Sequence, residues 1–369
     1  MKKLYVFFAF ALLAFAMAAC AQGTPTVAPT PTLIALPTAG ARPTVPPPTE
    51  LTVMTHDSFA ASDDVIKAFE TSANVKLNIL KSGDAGAALN KAILAKNSPL
   101  ADAFFGVDNT FLSRALKADI FTPYTPTVAS QIPQQYLLDP TYNLTPTDYG
   151  DVCLNYDKAY FQKKNIAPPQ TLQDLIKPDY KSMTVVENPA TSSPGLAFLL
   201  ATVGHFGKDK YTDYWKSLRA NDVLVSDGWD DAYYAKSTWG GKGGDRPIVV
   251  SYATSPAAEV FFSNGKATEP PTGNVLGDGA CFRQVEFVGV LKGAKNPDAA
   301  KKFIDFMLSQ KFQADIPEQM FVFPVMANTK LPDFYKFAEV AKNPAVVSAA
   351  DIDANRDAWI KVWTEVVLR

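Results

Sequence analysis

Hydroxyl side chains follow a predicted strand in a loop at residues 188–196. Residues 191–193 of this loop are Thr, Ser and Ser, the β-branched stretch 183–186 precedes it, and an apolar helical stretch begins at Leu196. A strand that turns into a helix leaves the N–H groups of the first helical turn without partners, and hydroxyl oxygens beside them add further polar groups. The loop is therefore a candidate site for an anion or another polar ligand.

A second predicted strand, at residues 249–252, ends in the same way. Ser251, Tyr252, Thr254 and Ser255 surround its end. Open α/β sheets bind ligands at the carboxyl ends of their strands, so the two loops predict the walls of one cleft. The alternative is that both loops only cap helices and bind no ligand.

The chain from Leu51 onward begins with alternating strands and helices. Strands are predicted at residues 51–55, 76–80 and 101–105, and helical stretches with apolar residues on one face follow them. Short connections between such units favour a mostly parallel sheet. The predicted fold class is therefore α/β.

Polar side chains stand where these three strands end, namely His56, Asp57, Asp84 and Asp108. The carboxyl ends of parallel strands share one edge of a sheet, so these residues are expected to face the same ligand. A carboxylate such as Asp57 or Asp108 would suit a cationic ligand. Asp84 and Asp108 would also suit the caps of the following helices, and a capped helix start still offers N–H groups to a ligand.

Two apolar segments without helical periodicity, at residues 148–157 and 281–288, are predicted to cross between two lobes. The second lobe is expected to open with a helix capped by Thr171 and to contain Trp229 beside a glycine turn. The predicted organisation is a signal segment (1–20), a tether (21–50), a first lobe (51–152), a second lobe (153–281) and a return to the first lobe (282–369).

The composition excludes some classes of function. The chain has 369 residues, of which 47% are hydrophobic, enough for two lobes of ordinary domain size. Lys and Arg number 35 against 37 Asp and Glu, and this balance argues against a nucleic-acid-binding surface. Two histidines and three cysteines cannot form a Cys/His metal site in any standard spacing, so no cofactor is expected.

The first twenty residues predict export. Lys2 and Lys3 precede an apolar run at residues 4–17, and small residues precede Cys20. The segment resembles a bacterial lipoprotein signal, which implies that Cys20 carries a diacylglyceryl group on the outer face of the cell membrane or in the periplasm. A transmembrane helix is the alternative, but the run is short for a span.

Residues 21–50 are rich in Thr and Pro and carry almost no charge. Such a segment cannot bury a core and is expected to be extended. At about 3.1 Å per residue it would reach about 90 Å, far enough to let an anchored domain meet a membrane partner.

Several motifs fall in the order and spacing of one family. They are His56-Asp57-Ser58-Phe59, Gly106-Val107-Asp108-Asn109, Asp148-Tyr149-Gly150, residues 191–196, Gly228-Trp229, residues 251–256 and Gln284-Val285-Glu286. On these motifs the chain resembles the thiamine-binding periplasmic proteins of ABC importers. The resemblance implies a two-lobed periplasmic-binding-protein fold of type II with the ligand cleft between the lobes, and a binding protein rather than an enzyme.

The resemblance also implies which residues meet the ligand. The phosphate or hydroxyethyl end would contact Asp84, Ala85, Ser192 and Ser193, and the rings would lie against Trp229 and the strand end Tyr252, Ala253, Thr254 and Ser255. Phe321 stands where the family usually has tryptophan, and His56 where it usually has tyrosine. The implied ligand is thiamine, its monophosphate or its diphosphate, and the implied partner of a monomeric protein is an ABC transporter permease.

Two cysteines, Cys153 and Cys281, remain if Cys20 is lipidated. Both lie on the predicted crossing strands, and disulfides persist in exported proteins, so we expect them to be bonded. One alternative is a thiaminase-like enzyme with Cys153 as nucleophile. Another is a ferric-ion or small-anion binding protein that uses Tyr233 and Tyr234.

Overall fold

The computed structural model describes residues 46–369. The predicted signal segment, Cys20 and all but the end of the tether lie outside the described residues. The first strand begins at Thr49, two residues before the predicted strand, so the tether's last two residues belong to the sheet.

Eleven strands and ten α-helices form the described part of the chain. The strands are β1 Thr49–Thr55, β2 Val75–Lys81, β3 Ala103–Asp108, β4 Phe121–Thr122, β5 Thr145–Asp157, β6 Thr184–Glu187, β7 Leu224–Ser226, β8 Ile248–Tyr252, β9 Thr272–Val275, β10 Phe282–Leu291 and β11 Phe323–Pro324. The helices are α1 Asp63–Ala73, α2 Ala85–Leu94, α3 Leu112–Lys117, α4 Lys158–Lys164, α5 Ser193–Phe206, α6 Tyr211–Ala220, α7 Ser255–Phe262, α8 Pro297–Met307, α9 Gln310–Gln319 and α10 Ala349–Val367.

Eight of the strands follow the order β2-β1-β3-β10-β5-β8-β6-β7 in one continuous sheet, while β4 pairs with β10, and β9 and β11 pair with β5. β1 runs parallel to β2 and β3, and β6 runs parallel to β7 and β8. Between these two parallel sets, β5 and β10 pair antiparallel to each other. The arrangement confirms the α/β class, and strands form at both segments predicted to cross between the lobes.

Each lobe buries its helices against this sheet. In the first lobe, Phe69 of α1 contacts Phe303 of α8 with ring centroids 5.3 Å apart. α5 is buried from its first residue to Val203, because its sequence is apolar on every face. Trp363 of α10 packs edge-on against Trp215 of α6 at 5.5 Å, and Trp359 of the same helix is also buried in the core.

The prediction of a helix after Thr171 is wrong. Only a short 3₁₀ turn forms there, at Asp174–Ile176. The Asp174 carboxylate accepts the N–H groups of Gln170 and Thr171, both at 2.9 Å, and therefore stabilises a turn. Pro178 follows closely. A proline ring disfavours helical backbone angles at the residue before it, so the turn cannot extend into a longer helix.

Cys153 of β5 and Cys281, directly before β10, form a disulfide with an S–S distance of 2.10 Å. Both side chains are fully buried. The predicted pairing is confirmed, and it leaves no thiolate at Cys153. No helix among residues 46–369 is both long and apolar enough to cross a membrane.

A chain carrying Cys20→Ser should show no free thiol under denaturing, non-reducing conditions. The Cys153→Ala/Cys281→Ala variant of that chain should lose about 3–5 kcal/mol of unfolding free energy, because a disulfide that closes a loop of 128 residues restricts the unfolded chain. Thiol titration and urea unfolding measure these effects. Two titratable thiols in the parent chain would contradict the pairing.

Candidate ligand-binding site

A cavity of about 1080 Å³ lies between the lobes, at the ends of the predicted strands. This volume is slightly above the usual range for ligand pockets, about 300–1,000 Å³. Residues that follow β1 and β2 form one wall, and the two hydroxyl loops and the segment after β7 form the other. The cavity therefore joins the segments that the sequence singled out.

The Asp84 carboxylate connects the two walls. One of its oxygens accepts the N–H of Ala85 at 2.6 Å and the N–H of Ser193 at 3.3 Å. The other oxygen accepts the N–H of Trp229 at 3.0 Å. Burial raises the pKa of Asp84, although hydrogen bonds from the Trp229 N–H, the Ser192 hydroxyl and the Ala85 N–H oppose the shift. Asp84 therefore occupies the predicted anion-binding N–H groups with a carboxylate of the protein itself.

A hydrogen-bonded chain lies behind the cavity and is centred on Gln284 of β10. Its amide oxygen accepts the Tyr252 hydroxyl at 2.7 Å, and its amide nitrogen donates to Asp108 at 2.8 Å and to the Ser193 hydroxyl at 2.9 Å. Burial raises the pKa of Asp108 to about 6, against the opposing hydrogen bonds of Thr110. This chain fixes the Tyr252 ring at the cavity floor.

His56 and Glu286 form an ion pair at the base of the cavity, with Nε2 and Oε1 3.0 Å apart. Burial alone would lower the pKa of His56, but the carboxylates of Glu286, Asp84 and Asp230 together outweigh this effect and the pKa is raised. Asp148 of β5 is paired in register with Glu286 of β10. Burial, and then the Glu286 charge, raise the pKa of Asp148 well above its ordinary range.

Trp229 forms the aromatic wall. Its indole N–H donates to the Ser251 hydroxyl at 2.9 Å, and its ring stacks on Tyr233 with centroids 4.9 Å apart and an angle of 20°. Tyr233 and Tyr234 belong to a single π-helical turn, Asp231–Lys236, an element that is frequent at functional sites. Tyr252 stands edge-on to Trp229 at 6.4 Å.

Most of the site residues predicted from the sequence line the cavity, but three do not. Those that line it are His56, Asp57, Asp84, Ala85, Ser193, Trp229, Tyr252, Thr254, Ser255 and Phe321. Asp108, Ser192 and Ala253 are buried behind it. Asp108 points to Gln284, the Ser192 hydroxyl caps α5 by accepting the N–H of Gly195, and Ala253 packs in the cluster around the disulfide.

The sequence analysis missed three cavity residues, Glu259, Trp239 and Phe262. Three further cavity residues appeared there without a role in the proposed site: Glu286 within a family motif, and Tyr233 and Tyr234 only as ligands of the ferric-ion alternative. Glu259 stands four residues after Ser255 on the same face of α7, a spacing that could have identified it. Trp239 lies in a glycine-rich loop without periodicity and gave no such signal. Within residues 46–369, no cluster of three or more His, Cys, Asp or Glu side chains could hold a metal ion.

The fold and the cavity define a two-lobed solute-binding protein. A family model described as bacterial extracellular solute-binding protein matches residues 98–345. The chain is 32% identical over 329 residues to the thiamine-binding periplasmic protein of Escherichia coli (strain K12), with 86% of this chain and 94% of the relative covered. It is 29% identical over 335 residues to the thiamine-binding periplasmic protein of Brucella melitensis biotype 1, with 87% and 92% covered.

Solved structures agree with these matches. One described as a periplasmic thiamin binding protein superposes with a TM-score of 0.76 at 30% identity, covering 87% of this chain and 97% of the other. A ferric binding protein from Campylobacter jejuni superposes with a TM-score of 0.68 at 20% identity, covering 86% and 99%, which shows the fold alone. The chain belongs to the bacterial extracellular solute-binding proteins, in the family of the thiamine-binding periplasmic proteins.

The family expected from the sequence motifs is thereby confirmed, and so is the two-lobed binding-protein fold. These relatives are named as binding proteins, and the family is extracytoplasmic. The ligand residues, the lobe boundaries and the lipid anchor stay predictions.

The His56–Glu286 pair can be tested by NMR, because the chain has only two histidines. His56 should titrate above its ordinary value of 6.5, and Glu286→Gln should lower the pKa of His56, because one of the carboxylates that oppose the effect of burial is then removed. The pair's stabilising contribution should be complete below pH 6.5 and disappear as the pH rises through the raised pKa. His205 is the internal control, and an unchanged His56 titration in Glu286→Gln would contradict the pairing.

Proposed function

We propose that this protein captures thiamine outside the cytoplasm and delivers it to the permease of an ABC importer. The observation that carries the proposal is the charge of the cavity. Eight carboxylate side chains line it, and no lysine or arginine is among the described residues that do so. Such a cavity favours a cation, and Trp229 and Tyr252 add aromatic ring faces.

Thiamine matches these features chemically. Its thiazolium ring is a permanent cation, which an aromatic face stabilises by about 0.5–2 kcal/mol. Its aminopyrimidine is flat and has donors and acceptors at its edge, which suits the aromatic rings of Trp229 and Tyr252 and the polar groups that line the cavity. The relatives named as thiamine-binding proteins support this choice of ligand.

The monophosphate and diphosphate of thiamine are included in the proposal. The N–H groups of Ala85 and Ser193 stand at the starts of α2 and α5, and helix N-termini favour phosphate oxygens. Asp84 now occupies both N–H groups, so a phosphate bound there would have to replace its carboxylate. The esters are therefore expected to bind with a rearranged Asp84.

The enzyme alternative receives no support from the geometry. Cys153 is bonded to Cys281, is fully buried and is absent from the cavity lining. A thiol must be free and ionised to attack a ring carbon. The ferric-ion alternative is not favoured either, because the Tyr233 hydroxyl already donates to Glu259.

Trp229→Ala should weaken thiamine binding by about 1–3 kcal/mol, the usual cost of losing an aromatic anchor. Calorimetric titration of protein that has been unfolded and refolded to remove bound ligand measures this loss, with thiamine and each phosphate ester as titrants. Thiamine should also quench tryptophan fluorescence in the parent protein and in Trp359→Phe, whose ring does not line the cavity. Equal affinity in Trp229→Ala would place the rings elsewhere, and no binding of any form would refute the function.

The lipid anchor is part of the proposal, since it would hold a monomer near its permease. Growth with a radioactive fatty acid should label the parent protein and leave Cys20→Ala unlabelled, because only the Cys20 thiol would carry the diacylglyceryl group. Equal labelling of both proteins would refute the lipoprotein assignment.

A further inference from the structure

The cavity continues beyond the predicted site, along one face of α7. Ser255, Ala258, Glu259 and Phe262 line it, and their spacing of three and four residues places them on one side of the helix. At 1.5 Å per residue, the eight residues of α7 give this wall a length of about 12 Å. The cavity can therefore hold an elongated ligand with one end near Trp229 and the other beside α7.

Aromatic residues line the cavity near Glu259 in this extension. Tyr233 donates its hydroxyl to the Glu259 carboxylate at 2.5 Å and packs edge-on against Trp239 at 5.6 Å. Tyr234 lies edge-on to Tyr233 at 5.2 Å, and Trp239, Tyr234 and Phe262 all line the cavity. A carboxylate among ring faces suits a cation that has no hydrogen to donate.

The other buried carboxylates of the cavity already have strong partners. Asp84 accepts three N–H groups, and Glu286 pairs with His56. Glu259, which is also partly buried, accepts only the neutral Tyr233 hydroxyl. Removing a carboxylate from water is costly unless an opposite charge compensates it, so Glu259 is the position where a cationic ligand gains most.

The remaining five carboxylates that line the cavity are solvent-exposed: Asp57, Asp227, Asp230, Asp231 and Glu269. Water screens exposed charges, so each of them would contribute little to the binding of a cation. Asp108, the other carboxylate considered for this role from the sequence, does not line the cavity.

A second observation also points to a ligand at α7. The hydroxyl of Thr254, directly before the helix, lines the cavity and is 1% exposed, yet it has no hydrogen-bond partner among residues 46–369. A buried polar group without a partner is unfavourable. A heteroatom of a ligand that spans Trp229 and Glu259 would satisfy it.

We propose that Glu259, which shares this part of the cavity with Tyr234, Trp239 and Phe262, is the counter-ion of the thiazolium ring. This assignment rests on the proposed function. It makes Glu259 the residue that selects for the positive charge.

The test compares thiamine with its neutral isostere in which a thiophene replaces the thiazolium. The parent protein should bind thiamine about tenfold or more tightly than the isostere, and Glu259→Gln should lose most of that preference. Glutamine can still accept the Tyr233 hydroxyl, so the pocket should keep its shape. Glu269→Gln, an exposed carboxylate of the same cavity, is the matched control and should keep the preference.

The outcomes separate the two proposals. If neither ligand binds the parent protein, the proposed function fails. If thiamine binds and Glu259→Gln keeps the full preference for the charged ring, the function stands and the Glu259 assignment is overturned. Thermal unfolding checks that Glu259→Gln is folded.

Tyr234→Leu removes a ring face and no charge. It should reduce the preference for thiamine over the neutral isostere, and an unchanged preference in this variant would also count against the assignment.

Discussion

The pairing of β5 with β10 is the constraint on which the site depends. Residues 145–152 of β5 pair antiparallel with residues 282–288 of β10, and the disulfide joins the two strands at the end of this ladder. β3 then pairs with β10, and β8 pairs with β5. Because each lobe is built outward from one of these two strands, the register between them decides which loops of the two lobes meet. A slip of one residue would turn every side chain of a strand to the opposite face. Glu286 and Gln284, both on β10, reach the site through this register.

Asp84 explains how the lobes can stand close together around an acidic cavity. Carboxylates that face each other at low dielectric repel, and the contacts between the lobes must offset that repulsion. Asp84 contributes three hydrogen bonds from N–H groups, of which two belong to the other lobe. The exposed contact between the Ser58 hydroxyl and Asp230, at 3.2 Å, adds little because water competes for both groups. A ligand that displaces Asp84 must therefore replace a contact between the lobes as well as bind.

The strands and the two hydroxyl loops were predictable because their signals are local. Alternating strands and helices identify the first lobe, and a strand end followed by hydroxyls needs only a few residues to be recognised. The Asp84 contacts were not predictable in the same way, since Ser193 and Trp229 are 109 and 145 residues away in the chain. The sequence predicted N–H groups suited to an anion, but it could not show that Asp84 fills them. Asp108 was misplaced for a similar reason. Its strand ends at the expected edge, but Gln284 draws its side chain away from the cavity.

Phe321 lines the cavity in a strained backbone conformation. Its φ of 56° lies in the left-handed region, which costs a non-glycine residue about 1–2 kcal/mol. Its ring packs against Phe262 at 4.9 Å and Phe261 at 5.5 Å, and each such aromatic pair contributes about 0.5–1.5 kcal/mol beyond its buried area. These contacts can offset the backbone strain. They also hold the Phe321 ring at the rim, against the part of α7 that extends past Glu259. Phe321 therefore joins the segment after α9 to the second lobe, and the ring that closes the aromatic wall of the cavity is Trp229.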